Sequence, residues 1–227
     1  MREEYTRDNY PSFGKKYSGE RGVISLTSWK ARIDTVSKTL YSLLKQCPGF
    51  HIVLVLSEEE FPKMMDELPS NLKLFVKNNL IEVLWVYKNY KAFKKILFTM
   101  DKYRNVPIIS ADDDCYYKCN YANDLLEEWE KNKSSVIRYQ GTNTMSSNHA
   151  VSGPWTIYPP FEKFGVFAIH ELLKMNQEKI NRSLDDDFYN AIIRKYKIKH
   201  HGIKSGGYKN RLTFFSQDHA IHKGAFK

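Results

Sequence analysis

Regular patterning begins at Val23, where the apolar-rich stretch VISLTSW (residues 23–29) is followed by Val36, Leu40, Leu43 and Leu44 on one helical face. This reads as a strand and then a helix, with Asp34 as candidate cap. Cys47-Pro48-Gly49 stops the helix, and HIVLVLS (51–57) is a nearly continuous aliphatic run of the kind buried on both faces of a parallel sheet. The pattern then predicts a short helix near residues 61–68, a strand over 81–86, a helix over about 92–103 and a strand over 106–111. Pro107 falls near the start of that last strand, where no central ladder donor is lost. Alternating strands and helices imply an α/β fold, a doubly wound, mostly parallel sheet covered by helices on both faces.

The second half is less regular. Leu125, Leu126 and Trp129 suggest a helix after Asn123, and residues 135–139 a short strand. Residues 140–161 are rich in Ser, Asn, Gly and Pro and read as a functional loop. A last helix is expected over about 184–196, with Phe188, Ile192 and Tyr196 on one face and Ser183 as cap. From Gly202 the chain is a Gly-rich, basic, aromatic tail. At 227 residues the length suits one large domain with a full core. Residues 1–21 are polar and charged and read as an N-terminal arm rather than a signal peptide. No apolar run approaches the roughly 20 residues that span a bilayer, so a cytoplasmic protein is expected.

Charge widens the choice of partner rather than narrowing it. A formal net charge of +9 favours acidic partners, among them nucleotides, nucleic acid and anionic lipid, although any single lysine reads as solvated surface. Cys47, Cys115 and Cys119 are odd in number, and the Cys115/Cys119 spacing lacks the second pair that a zinc site needs, so reduced thiols are expected.

Candidate chemistry enters at Asp112-Asp113-Asp114, directly after an apolar strand and hence at the carboxyl edge of the sheet, where open α/β folds bind ligands. Three adjacent carboxylates repel one another unless a cation neutralises them. Mg²⁺ and Mn²⁺ prefer such oxygens, with phosphate and water filling the remaining positions. A solvated strand-end turn explains one Asp but explains three poorly.

The stretch ISADDDCYY resembles the DxD region of the GT-A glycosyltransferases. VISLTSWKARI resembles the first strand and turn of a bacterial branch of that family, FKKILFTM its Lys-containing helix, GPWTIYPPFEKFGVF its Trp-containing acceptor loop and glycine turn, and SLDDDFYNAI its second acidic motif. These matches run in order from Val23 to Asp218. The resemblance implies a single GT-A (Rossmann-like) domain over 22–227, comprising a nucleotide-sugar half (22–118), an acceptor half (119–201) and a C-terminal tail (202–227). It implies a nucleotide-sugar donor, a UDP-sugar first, and a glycan or lipid-linked acceptor of a bacterial surface polysaccharide, with peripheral association at the inner membrane face.

Residue by residue, the resemblance makes Asp112 and Asp114 metal ligands for Mn²⁺ or Mg²⁺, with Asp112 and Asp113 also at the donor. Thr27, Arg32 and Lys95 would line the nucleotide end, Gly165 would let the chain approach the donor sugar, and Trp155 would stack on the acceptor. The residues alone allow plainer roles: a strand residue for Thr27, a surface lysine beside Lys94 for Lys95, a loop glycine for Gly165 and a buried indole for Trp155. His219 is the C-terminal candidate ligand, with His222 its competitor. Of Asp185-Asp186-Asp187, Asp186 and then Asp187 would be the catalytic base, against a capping role in which Ser183 is the cap and Asp186 the third helical residue.

Two other functions use some of the same residues. Metal-dependent phosphoryl or nucleotidyl transfer would need acidic ligands too, but no GxxxxGK[ST] loop follows the first strand. A nonenzymatic nucleic-acid or polyanion binder is favoured by the charge and by 15 tyrosines, but would not place three aspartates at the ligand edge, so no nucleic acid is expected as partner.

Overall fold

The computed structural model describes residues 21–118, 120–139 and 155–203, and the backbone of 212–214. The N-terminal arm up to residue 20, Cys119, and most of the tail beyond Gly202, with His219 and His222, therefore lie outside the described residues. Seven strands form the main sheet in the order β3-β2-β1-β4-β7-β6-β8, and β5 pairs with β9 in a second, two-stranded sheet. The strands are β1 (Val23–Thr27), β2 (His51–Ser57), β3 (Glu82–Val86), β4 (Ile108–Ser110), β5 (Cys115–Tyr117), β6 (Val136–Tyr139), β7 (Thr156–Tyr158), β8 (His200–Ile203) and β9 (Leu212–Phe214). Six of the seven main strands point one way and β7 is reversed, antiparallel to both β4 and β6. The fold is thus the expected mixed α/β domain with a mostly parallel sheet between helices.

The first half follows its pattern closely. The β2 residues Ile52–Ser57 are all buried, as the two-sided apolar run requires. Helix α1 (Val36–Gln46) buries Val36, Leu40, Leu43 and Leu44, and Gly49 takes the left-handed φ of 83° that ends the connection after Cys47. Asp34 does not cap α1: Thr35 holds that position, without a side-chain cap bond. The helix expected near residues 61–68 is a 3-10 turn, Met64–Glu67, and a true helix α2 (Ser70–Lys77) follows it, started by Pro69. Helix α3 (Lys94–Lys102) lies against β1, where the Ser25 hydroxyl donates to the Lys95 carbonyl and meets the Thr99 hydroxyl at 2.7 Å.

In the second half, α4 (Tyr121–Lys131) and β6 are where the pattern put them, while the stretch read as loop to residue 161 contains the central strand β7. Helices α5 (Gly165–Leu173), α6 (Gln177–Arg182) and α7 (Asp185–Lys195) complete the fold. Ser183 closes α6 rather than capping α7. Leu184 stands at the start of α7 without a side-chain cap, so Asp186 is its second helical residue, not its third. Cys47 and Cys115 are free buried thiols, and burial pushes Cys47 up to about 12, so neither is set up to react. Among the described residues no helix is long and apolar enough to cross a membrane.

Candidate active site

The carboxyl ends of β1 and β4, the start of α3 and the start of α7 surround one cleft of about 410 Å³. Its walls carry six carboxylates (Glu60, Asp112, Asp113, Asp114, Asp185, Asp186) against four cationic side chains (Arg32, Lys91, Lys94, Lys95). Both acidic runs of the sequence, 73 positions apart at their first residues by the numbering, therefore meet in one place.

Each aspartate of the first run has its own setting. Asp113 is held at both oxygens: Arg32 pairs with Oδ1 and the Ser28 hydroxyl donates to Oδ2 at 2.7 Å. Arg32 also reaches Asp114 Oδ2 at 3.3 Å. The backbone of the run is pinned as well, since the Thr39 hydroxyl of α1 lies 2.9 Å from the Asp113 carbonyl and 2.8 Å from that of Cys115. The Asp112 N–H donates to the Tyr117 hydroxyl at 2.8 Å. Burial pushes the Asp112 and Asp113 carboxyls above their ordinary range, against the opposing pull of Lys95 on the first and of Arg32 and Ser28 on the second.

Lys95 ties the two runs together. Its ammonium lies 2.5 Å from Asp112 Oδ1 and 3.1 Å from Asp185 Oδ2, and its side chain is 8% exposed. The surface-lysine role is thereby excluded for Lys95, and also for Lys94, whose buried ammonium takes Glu60 at 3.4 Å, Asn89 at 3.3 Å and the Lys91 carbonyl at 3.2 Å. Burial disfavours the Lys95 charge, but Asp112, Asp185 and Asp186 outweigh it and hold the ammonium well above its usual range. Helix α7 is fixed from behind by the Tyr189 hydroxyl, which donates to the Phe93 carbonyl at 2.9 Å.

Of the residues singled out in the sequence, Thr27, Arg32, Lys95, Asp112, Asp113, Asp114 and Asp186 line this cleft. Thr27 does so with its hydroxyl already donating to the Val55 carbonyl at 2.7 Å. Asp187 is exposed on the next helical position and is not part of the lining. Trp155 packs against the core beside β6, and its carbonyl accepts from the Tyr139 N–H at 3.2 Å. Gly165 opens α5, where a Cβ would come within 2.6 Å of the Phe161 ring, a packing constraint independent of any ligand. Glu60, Asn89 and Lys94 were not read as site residues. Their signal was position, because Glu60 and Asn89 follow the ends of β2 and β3 at the ligand edge.

Among the described residues no three His, Cys, Asp or Glu side chains converge as a ready-made ion cage. What the cleft offers a divalent ion is the pair Asp112 and Asp114, which matches the one or two protein carboxylates that Mg²⁺ takes when it shares a phosphate ligand.

No family model and no curated protein matches the chain. Solved structures do match. The chain superposes on Staphylococcus aureus TarS 1-349 in complex with UDP-GlcNAc with a TM-score of 0.60, at 12% identity over 90% of this chain and 61% of that one. For the glycosyltransferase GlyE of Streptococcus pneumoniae TIGR4 the TM-score is 0.52, at 12% identity over 81% of this chain and 45% of that one. The chain shares the fold of these two proteins. At these identities the likeness is one of architecture, and this chain spans less than two thirds of either neighbour's length.

Proposed function

We propose that the chain is a glycosyltransferase that binds a nucleotide sugar, UDP-linked first, with Mn²⁺ or Mg²⁺ and transfers the sugar to a glycan or glycolipid of a bacterial surface polysaccharide. The observation that carries this reading is the meeting of both acidic runs, joined through Lys95, in one cleft at the carboxyl edge of a glycosyltransferase fold. The neighbour bound to UDP-GlcNAc supports the choice of donor. A surplus of carboxylates over cations attracts a divalent ion and repels a nucleic-acid backbone, which weighs against a polyanion binder.

In this reading Asp112 and Asp114 hold the ion, which supplies charge neutralisation at the departing diphosphate. Arg32 and Ser28 keep Asp113 at the run's centre, facing the donor's ribose or sugar. Asp186, in the first turn of α7 and on the cleft wall, is the base that takes the acceptor proton. Asp185, bound to Lys95, is committed to the bridge. Trp155 at the acceptor, Gly165 at the donor sugar and Asp187 as the second candidate base rest on the family resemblance alone, and His219 is a proposed further ligand on the same footing.

UDP with Mn²⁺ is expected to raise the melting temperature, and an oligonucleotide is not. Asp112→Asn and Asp114→Asn should each abolish that shift, losing about 10²-fold or more in Mn²⁺-dependent UDP affinity, while melting as the wild type does without ligand. A shift by oligonucleotide alone, or a full UDP shift in both variants, would count against the reading.

A further inference from the structure

Lys95 stands where the proposed ion has to bind. Its ammonium is 2.5 Å from Asp112 Oδ1, whereas the cation beside Asp114 is the more distant Arg32, at 3.3 Å. Its main chain cannot swing away, because the Ser25 hydroxyl and the strand behind it fix the Lys95 carbonyl. The side chain has a second carboxylate within reach, Asp185 at 3.1 Å, so the ammonium can pivot from one run to the other without leaving the cleft. A divalent ion arriving alone meets a like charge already seated on one of its two carboxylates. A diphosphate arriving with the ion brings the negative charge that both cations can share.

We propose that Lys95 is an internal counter-ion that holds Asp112 until a nucleoside diphosphate arrives, so that divalent ion and nucleotide load together rather than in sequence. This rests on the nucleotide-sugar reading above and adds to it a positioning residue that makes ion and nucleotide binding cooperative. Cooperativity of this kind is reciprocal: the factor by which UDP tightens Mn²⁺ equals that by which Mn²⁺ tightens UDP.

The test measures Mn²⁺ binding from the paramagnetic signal of the free ion, with and without UDP, on wild type, Lys95→Met and Lys95→Gln. Gln keeps a donor for Asp112 without the charge, and so serves if Met perturbs folding. Removing the charge should tighten Mn²⁺ binding in the absence of UDP by about tenfold or more, and should shrink the UDP–Mn²⁺ coupling factor by a similar amount. Lys95→Arg, which retains the charge, should keep weak binding of the ion alone. A residue that only props the fold would weaken Mn²⁺ binding when lost. UDP binding by the wild type together with unchanged or weaker Mn²⁺ binding in the Met and Gln variants overturns the counter-ion role and leaves the nucleotide-sugar reading standing. Absence of Mn²⁺-dependent UDP binding in the wild type overturns both.

Discussion

Two clusters of paired charge occupy opposite ends of the same sheet. At the carboxyl end, Asp112, Asp113, Asp114, Asp185 and Asp186 crowd around Lys95 and Arg32 in a cleft. At the amino end, Glu82 at the start of β3 accepts from His51 at 2.9 Å, from Tyr103 at 2.5 Å and from Lys102 at 2.8 Å, stapling β2, β3 and the end of α3. The second cluster has more donors than its single carboxylate needs. Partial burial works against the charge of Glu82, yet those donors outweigh it and pull the carboxyl down to about 2. In the first cluster carboxylates are in surplus, and burial pushes Asp112 and Asp113 upwards. In the staple the donors outnumber the carboxylate, whereas in the cleft the carboxylates outnumber the cations, and the direction of the shifts follows that balance together with burial.

The contrast is sharpened by variants that should affect one property and spare the other. The largest effect is expected for Asp186→Asn, which removes the proposed base: sugar transfer from a UDP-sugar should fall by about 10²-fold or more, with donor affinity and melting temperature near the wild type. Early melting with wild-type turnover would instead make Asp186 a helix-end stabiliser. Gly165→Ala should behave in the opposite way. The new methyl group meets the Phe161 ring, so stability should fall by about 2 kcal/mol, roughly 4–8 °C in a chain of this size, with UDP binding intact. Loss of UDP binding without a melting change would bring Gly165 back to the donor.

The smallest effect belongs to the staple. With its folded value depressed, Glu82 stabilises the protein fully above its ordinary value of 4.5, and the contribution drains away as pH falls towards 2. Glu82→Gln should cost about 1 kcal/mol at neutral pH and flatten the loss of stability between those two pH values, seen by denaturant melts across the range. UDP binding should not change. An equal acid slope in both proteins would remove the staple from the account.

The first half of the fold was legible because each element had one dominant pattern. The continuous run of β2 and the apolar stripe of α1 leave no competing assignment. The second half mixes signals: β7 has three residues hemmed by Trp155 and Pro159-Pro160, and β8 begins His200-His201-Gly202, which reads as no strand. Helix α5 was hidden by Gly165, taken for a turn although it begins a helix. Within the site, the acidic runs announced themselves by chemistry, while the burial of Lys94 and Lys95 did not. A cue was present nonetheless: α3 buries Ile96, Leu97, Thr99 and Met100 as well, so the helix has too little polar surface to keep both lysines in water. Asp185's bridge could not be read, since it depends on a contact between residues 90 positions apart in numbering.

The reversal of β7 also bears on how such a domain could be re-engineered. Because β6 ends and β7 begins at the same edge as the cleft, Tyr139 and Trp155 form a doorway there, braced by the bond between the Tyr139 N–H and the Trp155 carbonyl. A parallel β7 would have started at the opposite edge of the sheet, so the reversal alone sets the start of this strand at the edge on which the cleft opens. A redesign of that edge can therefore draw on the start of β7 as well as on the ends of the parallel strands, with the strand order left as it is.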